Sequence, residues 1–111
     1  MLKPDAGEVV TKAVNFIHSN LSKELSIKLI TQEINVSKSV LYKKFSDRFH
    51  CTVGEYINKK RVEKSRELLI TTALSMEEIS QRCGFSSASY FTKIFKQYMG
   101  ITPLKFKKNQ S

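Results

Sequence analysis

Residues 37–52 read SKSVLYKKFSDRFHCT and residues 87–102 read SASYFTKIFKQYMGIT, one pattern written twice. A shift of 50 positions lays Ser37, Ser39, Lys43, Phe45 and Thr52 on Ser87, Ser89, Lys93, Phe95 and Thr102. It also carries Leu41, Phe45 and Phe49 onto Phe91, Phe95 and Met99. Apolar residues four apart share one side of a helix, so both segments are expected to be helices that bury the same face. Upstream the offset is 49, pairing Ile30 with Ile79, Ile34 with Cys83 and Val36 with Phe85, which puts one extra residue in the second turn. Each repeat is therefore expected to be a short helix, a tight turn and a longer helix.

Outward from the repeat the chain reads as helix throughout, and no stretch alternates apolar and polar residues as a half-buried strand would. Val10, Val14, Ile17 and Leu21 mark a first helix after Pro4-Asp5, and Ile27, Ile30 and Ile34 a short second one. A third runs from Ser37 to about Phe49. Thr52 and Glu55 have the spacing of a capping box, in which each side chain satisfies a free backbone N–H, and open the longest helix, to about Thr71. Ser75 and Glu78 form a second box, leading to about Arg82. Gly84-Phe85 makes the turn, Ser86 or Ser87 caps a helix to about Met99, and Gly100 ends it. Thr102-Pro103 starts a last short helix, and the tail KFKKNQS is expected to fray. The fold class is all-α with seven helices. Residues 1–51 form one helix-turn-helix lobe, 52–71 a linker helix and 72–111 a second lobe.

In a helix-turn-helix the second helix enters the major groove of DNA, and residues near its N-terminal end meet base edges. With Phe45 at the centre of the buried face and 100° per residue, Ser39 and Lys43 fall opposite it, as do Ser89 and Lys93 around Phe95. Lysine donates to guanine O6 and N7, serine bonds to several base edges, and Tyr42 or Thr92 on the flank reaches a thymine methyl or a phosphate. A linker of ~20 residues is ~30 Å long, close to the ~34 Å of one DNA turn. Two adjacent major grooves are thus within reach of one chain. The outward residues of the repeats differ (Val40 and Tyr90, Tyr42 and Thr92, Asp47 and Gln97), so an asymmetric double-stranded site of about 20 base pairs read by a monomer is expected.

Charge agrees. Among 111 residues, 19 Lys and Arg stand against 10 Asp and Glu, for a net charge of +9, which favours a polyanionic partner. No apolar run approaches the ~20 residues that span a bilayer, and the N-terminus lacks a signal-peptide core, so no membrane and a cytoplasmic location, on the bacterial nucleoid, are expected. Cys51, Cys83, His18 and His50 have no metal-ligand spacing, and no cofactor is expected. Cys83 reads as a small buried hydrophobe and Cys51 as a half-exposed spectator thiol. An enzyme lacks its parts here: there is no acid/base cluster, Gly-rich phosphate loop or nucleophile motif. A helical protein-interaction module is the alternative, but it gives the duplicated polar positions no purpose.

The run from Val36 to Lys107 resembles the DNA-binding domain of the AraC/XylS family of bacterial transcription regulators. VSKSVLYKKF, GEYINKKRVEKSRELL and above all EISQRCGFSSASYFTKIFKQYMGITPLKF carry the likeness. It implies two helix-turn-helix lobes on a linker helix, binding of adjacent major grooves, and RNA polymerase as a further partner. Carried over by position, it implies base contacts from Ser39, Tyr42 and Lys43 in the first lobe and from Ala88, Ser89, Thr92 and Lys93 in the second. Phosphate contacts are expected from Ser37, Lys38, Lys44, Ser87 and Lys105. The chain departs from the family at His50, usually Gly, and at Thr31, Ser65 and Ser80, usually Ala. Arg61 occupies the place of the family's linker arginine, and a structural ion pair is expected of it. Lys59, Lys60, Lys105, Lys107 and Lys108 read as solvated lysines.

Overall fold

A computed structural model describes residues 6–110, and their regular structure is entirely helical. The helices are α1 (Ala6–Ser19), α2 (Ile27–Ile34), α3 (Lys38–Phe49), α4 (Val53–Thr71), α5 (Met76–Arg82), α6 (Ala88–Met99) and α7 (Pro103–Asn109). The expected start signal Pro4-Asp5 lies outside the described residues. Two compact units meet between Ile57 and Asn58, within α4.

The caps explain the boundaries. Ser26, Ser37, Ser75, Ser87 and Thr102 each stand in extended backbone, and each side-chain oxygen accepts an amide from three residues on. Ser75 and Glu78 complete a capping box. So do Thr52 and Glu55, whose mutual bonds are 3.1 and 3.0 Å. The backbone bond from Thr52 holds the Glu55 carboxyl below its usual range. Of the two candidate caps before α6, Ser87 is the one used.

The extra residue of the second turn can be located. Asn35 and Gly84 both adopt left-handed backbone, φ 57° and 84°. The following amides, Val36 and Phe85, donate to the carbonyls of Thr31 and Ser80 at 3.2 and 3.0 Å. These pairs keep the offset of 49, whereas the next caps, Ser37 and Ser87, are offset by 50. The insertion is therefore Ser86, between the last turn residue and the helix cap.

Each unit has its own core. In the first, α1, α2 and α3 pack on one another, and Ala13, Ile17, Ile30, Leu41, Phe45, Val53, Tyr56 and Ile57 are buried together. Phe45, Phe49 and Tyr56 form a ring cluster with centroids 4.8 to 5.1 Å apart, a spacing at which edge and offset contacts are favourable. In the second, Val62, Leu69, Ile79, Cys83, Phe85, Phe91, Ile94, Phe95 and Phe106 are buried together.

The expectation of a fraying tail is corrected for residues 105–109, and Ser111 lies outside the described residues. Lys105–Asn109 belong to α7, because Phe106 is buried against Phe95 at 5.6 Å and draws its charged neighbours into helix. Lys107 Nζ also donates to the carbonyl of Thr72 at 3.3 Å, just past the end of α4. A cation there satisfies an orphan carbonyl at the negative end of a helix dipole.

Candidate nucleic-acid interface

α3 and α6 are the second helices of the two helix-turn-helix units, and the buried stripe of each decides what it shows to solvent. Leu41 and Phe45 are fully buried in α3, as are Phe91 and Phe95 in α6. On the opposite side Ser39 and Lys43 of α3, and Ser89 and Lys93 of α6, are exposed. Hydroxyl and ammonium donors thus stand at matching places on both helices.

The flanking positions behave differently. Tyr42 is 47% exposed, and its ring lines a groove of about 710 Å³ with Leu25, Ile27, Cys51 and Val53. Thr92 is half-buried, and its hydroxyl donates to the Ala88 carbonyl at 2.9 Å. With that proton committed, Thr92 offers a methyl group and the acceptor lone pairs of its oxygen. Ala88 is half-buried and presents only a methyl.

Ser37 and Ser87 are exposed caps. Their oxygens accept the amides of Val40 and Tyr90 at 3.2 and 3.0 Å, which leaves each hydroxyl proton free to donate outward. Lys38 is exposed beside Ser37, Lys44 is half-buried, and Lys105 is exposed in the first turn of α7. Lys107 differs from the solvated lysine expected, being half-buried with its ammonium on Thr72. Lys60 pairs with Glu63 at 3.2 Å.

Arg61 is half-buried, and burial holds its guanidinium below the usual pKa. Tyr90 and Cys83 oppose that shift only when ionised. The buried Cys83 thiol is pushed up to about 11 by desolvation, and Cys51 is a half-buried free thiol.

Asp47 was placed among the outward residues, but its pairing with Lys43 was not foreseen from the sequence. Lys43 Nζ lies 3.3 Å from Asp47 Oδ2, and both side chains are well exposed, 75% and 62%. The Lys-to-Asp spacing of four was its available signal. Val40 and Tyr90, matching positions in the first turns of α3 and α6, also leave apolar surface exposed.

A helix-turn-helix domain family profile matches residues 30–109, from within α2 to the end of α7. The chain belongs to the AraC/XylS family of helix-turn-helix DNA-binding domains. It is 34% identical over 98 residues to the xylose operon regulatory protein of Escherichia coli (strain K12), covering 88% of this chain and 25% of that protein. The chain thus spans about a quarter of that relative's length. To "Probable transcription factor PqrA" of Proteus vulgaris it is 34% identical over 106 residues, covering 94% of this chain and 87% of that one. A crystal structure of an AraC-type transcriptional regulator from Chromobacterium violaceum superposes with a TM-score of 0.86 at 28% identity, over 96% of this chain and 97% of that one. These AraC-type relatives are bacterial transcription regulators rather than enzymes, and no described helix of this domain is long and apolar enough to cross a membrane.

Proposed function

We propose that this domain binds an asymmetric double-stranded DNA site of about 20 base pairs as a monomer, with α3 and α6 in successive major grooves. Its lobes are residues 1–51 and 72–111, and residues 52–71 join them. The observation that carries the reading is the repetition of an exposed Ser and Lys, Ser39 with Lys43 and Ser89 with Lys93, opposite a fully buried apolar stripe. A solvated helix face has no need to keep the same two donors at the same two places.

In this reading Ser39, Tyr42 and Lys43 meet bases in one groove, and Ala88, Ser89, Thr92 and Lys93 in the other. Lysine recognises guanine O6 and N7, and the methyls of Ala88 and Thr92 pack on thymine methyl groups. Ser37, Lys38, Lys44, Ser87 and Lys105 hold phosphates and set the register. The nineteen residues of α4 amount to ~28 Å of helix, commensurate with one DNA turn. Transcription is the process regulated, with RNA polymerase the protein partner at the promoter and the bacterial nucleoid the place of action.

Selection of bound duplexes from a random library tests the reading. One asymmetric motif with two half-sites a helical turn apart is expected, and inserting about half a turn of DNA between them should cost most of the affinity. A single half-site, or a motif indifferent to that insertion, would overturn the two-groove arrangement. Lys43→Ala and Lys93→Ala should each weaken discrimination at one half-site by roughly 1 to 3 kcal/mol if the lysine contacts both guanine acceptors.

A further inference from the structure

Asp47 is badly placed for the stability of α3. It sits in the last turn of a helix that ends at Phe49, where a carboxylate faces the negative end of the helix dipole. Its partner Lys43 is on the N-terminal side, the weaker order for a pair four residues apart. Both groups are well exposed, and such pairs contribute little to folding. A negative charge on a surface meant for DNA also repels phosphates. The second unit has Gln97 at the matching position, with no charge.

Asp47 nevertheless lies within reach of Lys43, whose ammonium is a compact charge on a flexible four-carbon stem. Left alone, such a group bonds to any phosphate it meets, and phosphate contacts carry no sequence information. With its ammonium 3.3 Å from Asp47, it exchanges one anion for another on moving to a phosphate, and the move leaves Asp47 unpaired against the DNA. An ammonium has three donors, however. It can keep Asp47 with one and give the others to guanine O6 and N7.

We propose that Asp47 is a positioning residue that makes the first lobe selective, by denying Lys43 to phosphates while leaving it available to a guanine edge. The proposal rests on the base-reading role of Lys43 given above. It makes the lobes unequal: the first discriminates at some expense of affinity, and the second, with Lys93 above Gln97, carries less of that restraint.

The test compares Asp47→Asn, Lys43→Ala and the double variant on two duplexes of equal length, the one enriched by the wild-type domain from a random library and a scramble of it. Melting curves confirm folding, which the exposure of both side chains favours. Asp47→Asn should raise affinity for the scramble about threefold to tenfold and steepen its salt dependence by about one counterion. Affinity for the enriched duplex should change less than about twofold, its guanine contact being intact in both proteins. In the Lys43→Ala background the substitution should lose its effect on the ratio. Equal gains on both duplexes, or the same shift without Lys43, would overturn the proposal and leave Asp47 a plain repulsive charge. Lys43→Ala alone reports on the underlying reading: equal losses on both duplexes remove the base contact and the proposal with it. A selective loss there combined with a uniform gain in Asp47→Asn removes the proposal alone.

Discussion

His50 and Gly100 end α3 and α6 in the same left-handed conformation, φ 58° and 79°, and their amides donate to the carbonyls of Ser46 and Lys96, each at 2.8 Å. The departure from glycine at position 50 has therefore not altered the exit turn. A side chain in this region crowds its own carbonyl, at roughly 1 to 2 kcal/mol. His50→Gly should stabilise the first unit by about 0.5 to 1 kcal/mol after the greater freedom of glycine in the unfolded chain is deducted. Gly100→Ala should do the reverse in the second, although a Cβ there meets nothing within 4 Å. Urea midpoints at unchanged slope measure both, and a lower midpoint for His50→Gly would mean that the imidazole makes a contact outweighing the strain.

Ser80 is 1% exposed, and its hydroxyl has no hydrogen-bond partner among the described residues. Burying a hydroxyl unpaired costs about 1 to 3 kcal/mol, and alanine is the better helix former. Ser80→Ala should raise the stability of the second unit by about 1 kcal/mol. The control is Ser65, equally buried, whose hydroxyl donates to the Val62 carbonyl at 2.6 Å. Ser65→Ala should be near neutral, since it loses a bond while gaining helix propensity. Equal effects at the two positions would show that the Ser80 hydroxyl is satisfied in solution.

The Cys83 thiol gives stability a dependence on alkaline pH. Its pKa is raised from 9.0 to about 11 by burial. Below pH 9 folded and unfolded states both hold the proton, and nothing changes. Between pH 9 and 11 the unfolded thiol releases it and the folded one keeps it, so stability falls as pH rises, by up to ~2 to 3 kcal/mol for a shift of this size. The comparison is with Cys83→Ala, less stable at neutral pH through its cavity but expected to decline less steeply. Parallel declines in urea melts of the two proteins from pH 8 to 11 would remove the thiol from the account.

Much of this was legible because local signals agreed with the repeat. The capping boxes at Thr52 and Ser75, the stop at Gly100 and the Thr102-Pro103 start all mark observed boundaries. The outward positions of Ser39, Lys43, Ser89 and Lys93 followed from the buried stripe alone. What escaped depended on tertiary context or on unusual backbone. Asn35 and His50 adopt positive φ without glycine to announce it. In the tail, a run of lysines concealed that Phe106 is anchored on Phe95 and that Lys107 reaches back to Thr72. No helical periodicity reveals a partner 35 residues away.

Thr92 allows the chemistry of one proposed base contact to be separated by substitution. Its hydroxyl proton is committed to the Ala88 carbonyl, so its contribution to base discrimination should come from the methyl, which suits the thymine methyl in the major groove. Thr92→Val keeps a methyl and removes the hydroxyl; Thr92→Ser does the opposite. Valine should therefore preserve the preference for thymine over cytosine at the contacted position, and serine should weaken it by roughly 1 kcal/mol. Helix propensities of the three residues are similar, so α6 should remain formed in both variants. Titration of each protein against duplexes differing only at that base pair decides the matter. If serine retained the preference and valine lost it, the hydroxyl would have to leave Ala88 on binding, and Thr92 would be a polar reader after all.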